Sequence, residues 1–132
     1  MGGIGKTTIA QAIYNLQKGK FEGSCFLENI GARVEQSNGL IDLQEQILSS
    51  VQVNASKKVR HIDEGTSIIR DMIRGKRVLV VLDDVDSEDQ FEKLAIGRDF
   101  FQPGSIIIIT SRDSHLLRRV KMDLIYTIPG LD

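Results

Sequence analysis

The chain holds 132 residues, enough for one α/β core and too few for two ordinary domains. Its 17 Lys and Arg nearly balance 18 Asp and Glu, so the formal charge of −1 gives no broad electrostatic reason to bind nucleic acid or an anionic membrane, and any anion must be held locally. No apolar stretch approaches the ~20 residues that span a bilayer, none reads as a signal peptide, Lys6 stands where a myristoylation pattern needs Ser or Thr, and a single cysteine excludes a disulfide framework within the chain; the expected setting is cytoplasmic, without membrane insertion.

Behind the glycines at the start, Ile9, Ile13 and Leu16 recur at helical spacing with Ala10 and Ala12 between them, which predicts a helix from Thr8 to Gln17. Ser24 to Ile30 is a short apolar run after Gly23 and fits a strand, with Cys25 as a small core residue. After the breaker pair Asn38-Gly39, the residues Leu40, Leu43, Ile47, Leu48 and Val51 share one helical face. Val53 to Arg60 is polar and basic, a surface loop, and Ile68, Ile69, Met72 and Ile73 mark a third helix closed by Gly75. Val78 to Leu82 and Ile106 to Ile109 are continuous runs rich in β-branched residues, the composition of central parallel strands covered on both faces. Phe91, Leu94 and Ala95 fit a short helix between them, and Pro103-Gly104 marks a turn. Leu116, Leu117 and Val120 suggest one more helix before a last strand near Leu124 to Ile128. This alternation predicts a three-layer α/β fold with a parallel sheet and right-handed crossovers, in which ligands sit at the carboxyl ends of the strands.

Gly2-Gly3-Ile4-Gly5-Lys6-Thr7-Thr8 matches a phosphate-binding P-loop except for its first glycine, which would fall one position before Met1. Glycines allow positive φ angles and close approach of phosphate oxygens to backbone N–H groups. Lys6 would supply a point charge to the β and γ phosphates, the Thr7 hydroxyl would complete a magnesium shell, and a helix starting near Thr7 would aim its positive end at the same oxygens. The plain alternative is a glycine-rich terminus that happens to precede a helix. Asp83 and Asp84 follow an apolar strand, where a carboxylate pair would hold magnesium at the sheet edge; Asp after a strand is as often a turn or a helix cap, and only the pairing with the P-loop favours the metal reading. Arg112, in Thr110-Ser111-Arg112-Asp113, can offer its planar fork to a γ phosphate or pair locally with Asp113 at a helix start, and position alone does not separate the two. The run Arg118-Arg119-Lys121 reads as a solvated face, and His61 and His115 lack the spacing of a metal or catalytic pair.

Taken in order, these motifs resemble the nucleotide-binding domain of plant disease-resistance proteins, the NB-ARC class of signalling NTPases, over nearly the whole chain. The start from Met1 to Thr8 resembles the P-loop of that family, Phe21 to Asn29 its next block, and Gly39-Leu40 with Leu43-Gln44-Glu45-Gln46 its following helix. Arg77 to Asp86 is similar to the block of the paired aspartates, and its closing Asp86, where another subgroup usually has Trp, points to the subgroup with an upstream Toll/interleukin-1-receptor-like domain. Pro103 to Asp113, then His115-Leu116-Leu117, is similar to the block with the sensor arginine, which maps onto Arg112. Ile106 stands where the family usually has Arg, and Gly31 to Ser37 fits only loosely.

The resemblance implies that residues 1–132 are part of an NB-ARC domain, running from the P-loop to the strand after the sensor arginine. It implies ADP/ATP and Mg2+ as cofactors, with Gly2, Gly3, Ile4, Gly5, Lys6, Thr7, Thr8 and Arg112 at the nucleotide, Thr7 and Asp83 at the metal, and Asp84 positioning or activating the attacking water. The parent would be an intracellular immune receptor switched between ADP and ATP states, reset by slow hydrolysis, and joined by flanking domains and by other copies on activation. Rival readings are an ATPase with continuous turnover, a small-molecule kinase, a partition ATPase, whose loop carries Lys where Met1 stands, and a gene fragment that binds nothing. In P-loop folds the strand that feeds the loop lies inside the sheet, and this chain begins after it. A gap of about one strand spacing, ~4.8 Å, with two rows of orphaned backbone groups is therefore expected, and with it poor folding and weak nucleotide binding by the isolated chain.

Overall fold

A computed structural model describes residues 2–51, 58–94, 104–113, 115–116 and 125–127. The elements run α1 (Gly2–Gln17), a 3-10 turn (Lys18–Lys20), β1 (Gly23–Leu27), α2 (Ile30–Arg33), α3 (Gly39–Val51), α4 (Ile62–Ile73), β2 (Val78–Leu82), α5 (Glu88–Lys93), β3 (Ile106–Ile109) and β4 (Ile125–Thr127). The strands form one sheet in the order β1-β2-β3-β4, and every neighbouring pair is parallel. β2 and β3 are thus interior. All five side chains of β2 are buried, which is why its sequence is an unbroken apolar run rather than an alternation.

Period-two geometry splits those side chains between two cores. Val78, Val80 and Leu82, with Ile107 and Ile109, pack among Leu43, Ile47 and Leu48 of α3 and Ile69 and Ile73 of α4. Leu79, Val81 and Ile108 face the other way, onto Ala10 of α1, where Ile13, Tyr14 and Phe26 close the edge. Tyr14 and Phe26 meet edge to face with ring centroids 5.5 Å apart. Cys25 lies in the larger core, and burial pushes its thiol up to about 11, so it is packed and inert at neutral pH. Gln44 is the polar pin of that core: its amide nitrogen donates to the carbonyls of Ile62 (2.9 Å) and Lys93 (2.8 Å), joining α3, α4 and α5. No helix among the described residues is long and apolar enough to cross a membrane.

Three expectations are corrected. The first helix begins at Gly2 rather than near Thr7. Carbonyls in the glycine-rich turn accept from N–H groups four residues on, so the segment is helical from its first residue, while its own leading N–H groups have no partner within the helix. The anticipated gap in the sheet is also missing: Leu79, Val80, Val81 and Leu82 of β2 are in direct register with Ile106, Ile107, Ile108 and Ile109 of β3. Moving one strand by a single spacing pairs both rows of backbone groups, which removes the penalty of leaving them unmet. Finally, α2 occupies part of Gly31 to Ser37, where no helix was foreseen; four residues carry too little periodicity to announce one. The polar segment at 52–57, the turn at Pro103 and the helix over 117–120 lie outside the described residues, as does the run Arg118-Arg119-Lys121.

Candidate functional site

Parallel pairing sets the ends of β2 and β3 side by side, and the hydrogen-bond ladder continues past them. Asp83 N–H donates to the Leu27 carbonyl (2.8 Å), Thr110 N–H to that of Leu82 (3.0 Å) and Val85 N–H to that of Thr110 (3.0 Å). The chain then turns sharply at Asp84, whose φ of 61° is left-handed; among non-glycine residues Asp and Asn tolerate that region best, at a cost of ~1–2 kcal/mol. Its position is pinned on both sides, by the Asp84 N–H donating to Thr110 Oγ1 (2.8 Å) and the Gly31 N–H donating to the Asp84 carbonyl (2.8 Å).

Helix α1 brings Lys6 and Thr7 to this edge. The Thr7 hydroxyl donates to Asp83 Oδ1 at 2.9 Å, across 76 residues of sequence. Asp83 is only 2 % exposed, and the same oxygen accepts the Thr110 hydroxyl at 2.7 Å, while the Asn29 N–H reaches Oδ2 at 3.5 Å. A buried carboxylate with these donors is not a turn or helix cap. Lys6, also buried, places its ammonium 2.8 Å from the Ser111 carbonyl. Four of the foreseen residues therefore converge: Lys6, Thr7, Asp83 and Asp84.

Arg112 joins them loosely. Its Nε lies 3.9 Å from Asp84 Oδ1, with the guanidinium side chain 79 % exposed, so this pair contributes little in water. The local alternative is not what the structure holds, because the Asp113 carboxylate accepts from the N–H groups of His115 (2.9 Å) and Leu116 (3.3 Å) instead. Burial raises the Asp84 carboxyl above the usual range, opposed by Arg112, reinforced by Asp86 and Asp83, and opposed again by Lys6. Gly2, Gly3, Ile4 and Gly5 form the first turn of α1, and Thr8 follows on its exposed side. That turn contains no acidic residue, so the positive end of the helix is not neutralised from within it.

Two residues here were named in the sequence but given no role, Thr110 and Ser111. Thr110 bridges both aspartates, and the Ser111 hydroxyl donates to the Val85 carbonyl. A hydroxyl residue closing an apolar strand is the only signal that could have marked them. Among the described residues, no three His, Cys, Asp or Glu side chains converge on one point as a metal cage. Magnesium does not need one: it is bound by one or two protein oxygens together with phosphate and water, and the adjacent oxygens of Thr7 and Asp83 fit that demand.

The NB-ARC domain model matches residues 1–128. The chain is 41% identical over 133 residues to disease resistance protein RUN1 of Vitis rotundifolia, and 40% identical over 138 residues to TMV resistance protein N of Nicotiana glutinosa. It is also 39% identical over 132 residues to disease resistance protein RRS1B of Arabidopsis thaliana. These alignments take in 99 to 100% of this chain but only 9 to 12% of the relatives, so the chain spans about a tenth of their length.

Proposed function

The chain belongs to the NB-ARC family, and from that premise we propose that it is the ADP/ATP-binding part of a nucleotide-operated switch in an intracellular plant immune receptor. The observation that carries the reading is the 2.9 Å hydrogen bond from Thr7 to Asp83, which joins the residue after the P-loop lysine to the first carboxylate after β2. Helices on both faces of a parallel sheet, with this pair at its carboxyl edge, support a three-layer P-loop fold. In this reading residues 1–132 are part of the domain, from the P-loop to the strand after Arg112, and Asp86 assigns it to the subgroup with a Toll/interleukin-1-receptor-like domain.

Each residue then has a task. The N–H groups of the Gly2 to Gly5 turn and the start of α1 face the phosphates, aided by the helix dipole. Lys6 exchanges the Ser111 carbonyl for a phosphate oxygen. Thr7 and Asp83 would hold magnesium, which when bound would supply positive charge against that of the phosphates. Asp84, whose carboxyl burial raises above its ordinary value, orients and deprotonates the attacking water. Arg112, exposed to solvent, reports the γ phosphate.

Calorimetric titration with Mg-ADP tests the reading in the complete parent domain. Lys6→Ala removes a charge-assisted contact of ~1.5–3 kcal/mol and should weaken binding about 10- to 100-fold. An unchanged affinity would remove the nucleotide assignment altogether.

A further inference from the structure

We propose that Thr110 is a positioning residue for the metal site, acting through Asp83 and Asp84 without touching metal or nucleotide itself; the inference rests on the nucleotide reading above. Thr110 is 2 % exposed, and its one hydroxyl has both of its hydrogen-bonding capacities engaged. It donates to Asp83 Oδ1 at 2.7 Å and accepts from the Asp84 N–H at 2.8 Å. A hydroxyl has a single proton, so giving it to Asp83 fixes the direction of the whole relay.

Asp83 Oδ1 receives two hydroxyl protons, from Thr7 and Thr110, whereas Oδ2 receives only the long contact from the Asn29 N–H at 3.5 Å. Oδ1 is therefore the anchored oxygen and Oδ2 the one with lone pairs to offer a metal-bound water. Without the Thr110 hydroxyl, the carboxylate would be oriented only by Thr7 and the long Asn29 contact, and could rotate about its own bond. The same loss would free the Asp84 N–H that holds this residue at a φ of 61°. One side chain thus sets the rotation of the first aspartate and the backbone placement of the second.

The two residues after Thr110 extend the same control. The Ser111 carbonyl accepts the Lys6 ammonium at 2.8 Å, and Arg112 Nε lies 3.9 Å from Asp84. Three consecutive residues at the end of β3 therefore meet the lysine and both aspartates.

The test uses the full-length gene product that carries this chain and compares Thr110→Val, which keeps the shape but removes the hydroxyl, with Thr110→Ser, which restores it. Manganese stands in for magnesium. Its binding in the presence of ADP is read by electron paramagnetic resonance, and ADP binding is measured separately in excess chelator. The valine variant should lose about tenfold in manganese affinity, as expected for a group that orients a metal ligand, while metal-free ADP affinity stays within about twofold in both variants and serine recovers the manganese affinity. Unchanged manganese affinity in the valine variant overturns the inference. So does a parallel fall in both affinities that serine fails to reverse, since that is the signature of a packing role. Should the valine chain fail to fold, Thr110→Cys takes its place: its weak S–H donor should reduce manganese affinity severalfold below that of serine, and equality of the two overturns the inference. If the unaltered protein binds no ADP in either condition, the nucleotide reading itself has failed and the metal role of Thr110 falls with it.

Discussion

Asp84 carries a conformational strain and an electrostatic one. Its backbone is left-handed, and burial raises its carboxyl above the ordinary value against the partial opposition of Arg112 and Lys6. A carboxyl raised in the folded chain binds its proton more tightly there than when unfolded, so the ionised form works against folding. That penalty is absent below the unfolded value of 3.8, grows as the pH climbs through the folded value, and is fully present above it. Asp84→Asn keeps a residue that tolerates left-handed φ and removes the charge, so its urea midpoint should exceed that of the unaltered chain at neutral pH and match it near pH ~3. A less stable Asn variant at neutral pH would show that the carboxylate is held by more than Arg112 and Lys6. At this scale the sequence was legible wherever chemistry is tied to a short motif: Lys6 and Thr7 follow the glycines, and Asp83 and Asp84 close a strand. Thr110 was not, because a Thr at a strand end is first of all a β-branched residue, and its hydroxyl partners lie 26 and 27 positions away in the chain.

Elements were readable in proportion to how strongly a single periodicity governed them. β2 and β3 fall on the expected residues because an apolar run in a doubly covered strand has only one physical use. The α3 boundaries follow from Asn38, left-handed at a φ of 60°, and from Gly39 after it. Gly39 is also a packing requirement: a Cβ there would sit 1.7 Å from the Arg33 carbonyl oxygen, a backbone atom held by its own turn. Gly39→Ala should therefore destabilise the chain by ~1–3 kcal/mol, the usual range for overpacking. Gly19 is the control, since a Cβ there meets nothing within 4 Å; Ala should be neutral or stabilising by ~0.4–1 kcal/mol through the unfolded chain. Equal urea midpoints for the two variants would mean that the turn from Arg33 to Gly39 yields easily. The helix start and the closed sheet were hidden for a different reason. Both depend on which backbone groups find partners, and backbone groups are the same for every sequence.

At the scale of the molecule, the described residues cover the two faces of the sheet unequally. One carries α3, α4 and α5 over a broad core, whereas the other is packed chiefly by α1. From Gly5 to Gln17 only Lys6 and Ala10 are buried, and Ile9 and Leu16 are 38% and 75% exposed. Among the described residues little apolar area therefore holds the helix that carries Lys6 and Thr7, and polar bonds to Ser111 and Asp83 tie it to the sheet edge. Local opening free energies follow buried apolar contact, so α1 should detach without unfolding the rest. In hydrogen exchange its amides should be replaced faster than those of β2, whose five side chains are all buried. A ligand that binds only the docked helix stabilises it by mass action, by ~2.7 kcal/mol at a hundredfold excess over its dissociation constant. Mg-ADP should consequently slow exchange in α1 selectively and leave β2 nearly unchanged. Equal protection of α1 and β2 before nucleotide is added would show that the polar bonds alone hold the helix as firmly as the core holds the strand. In that event phosphate binding would have to reorganise a rigid site, and the switch would need another moving part.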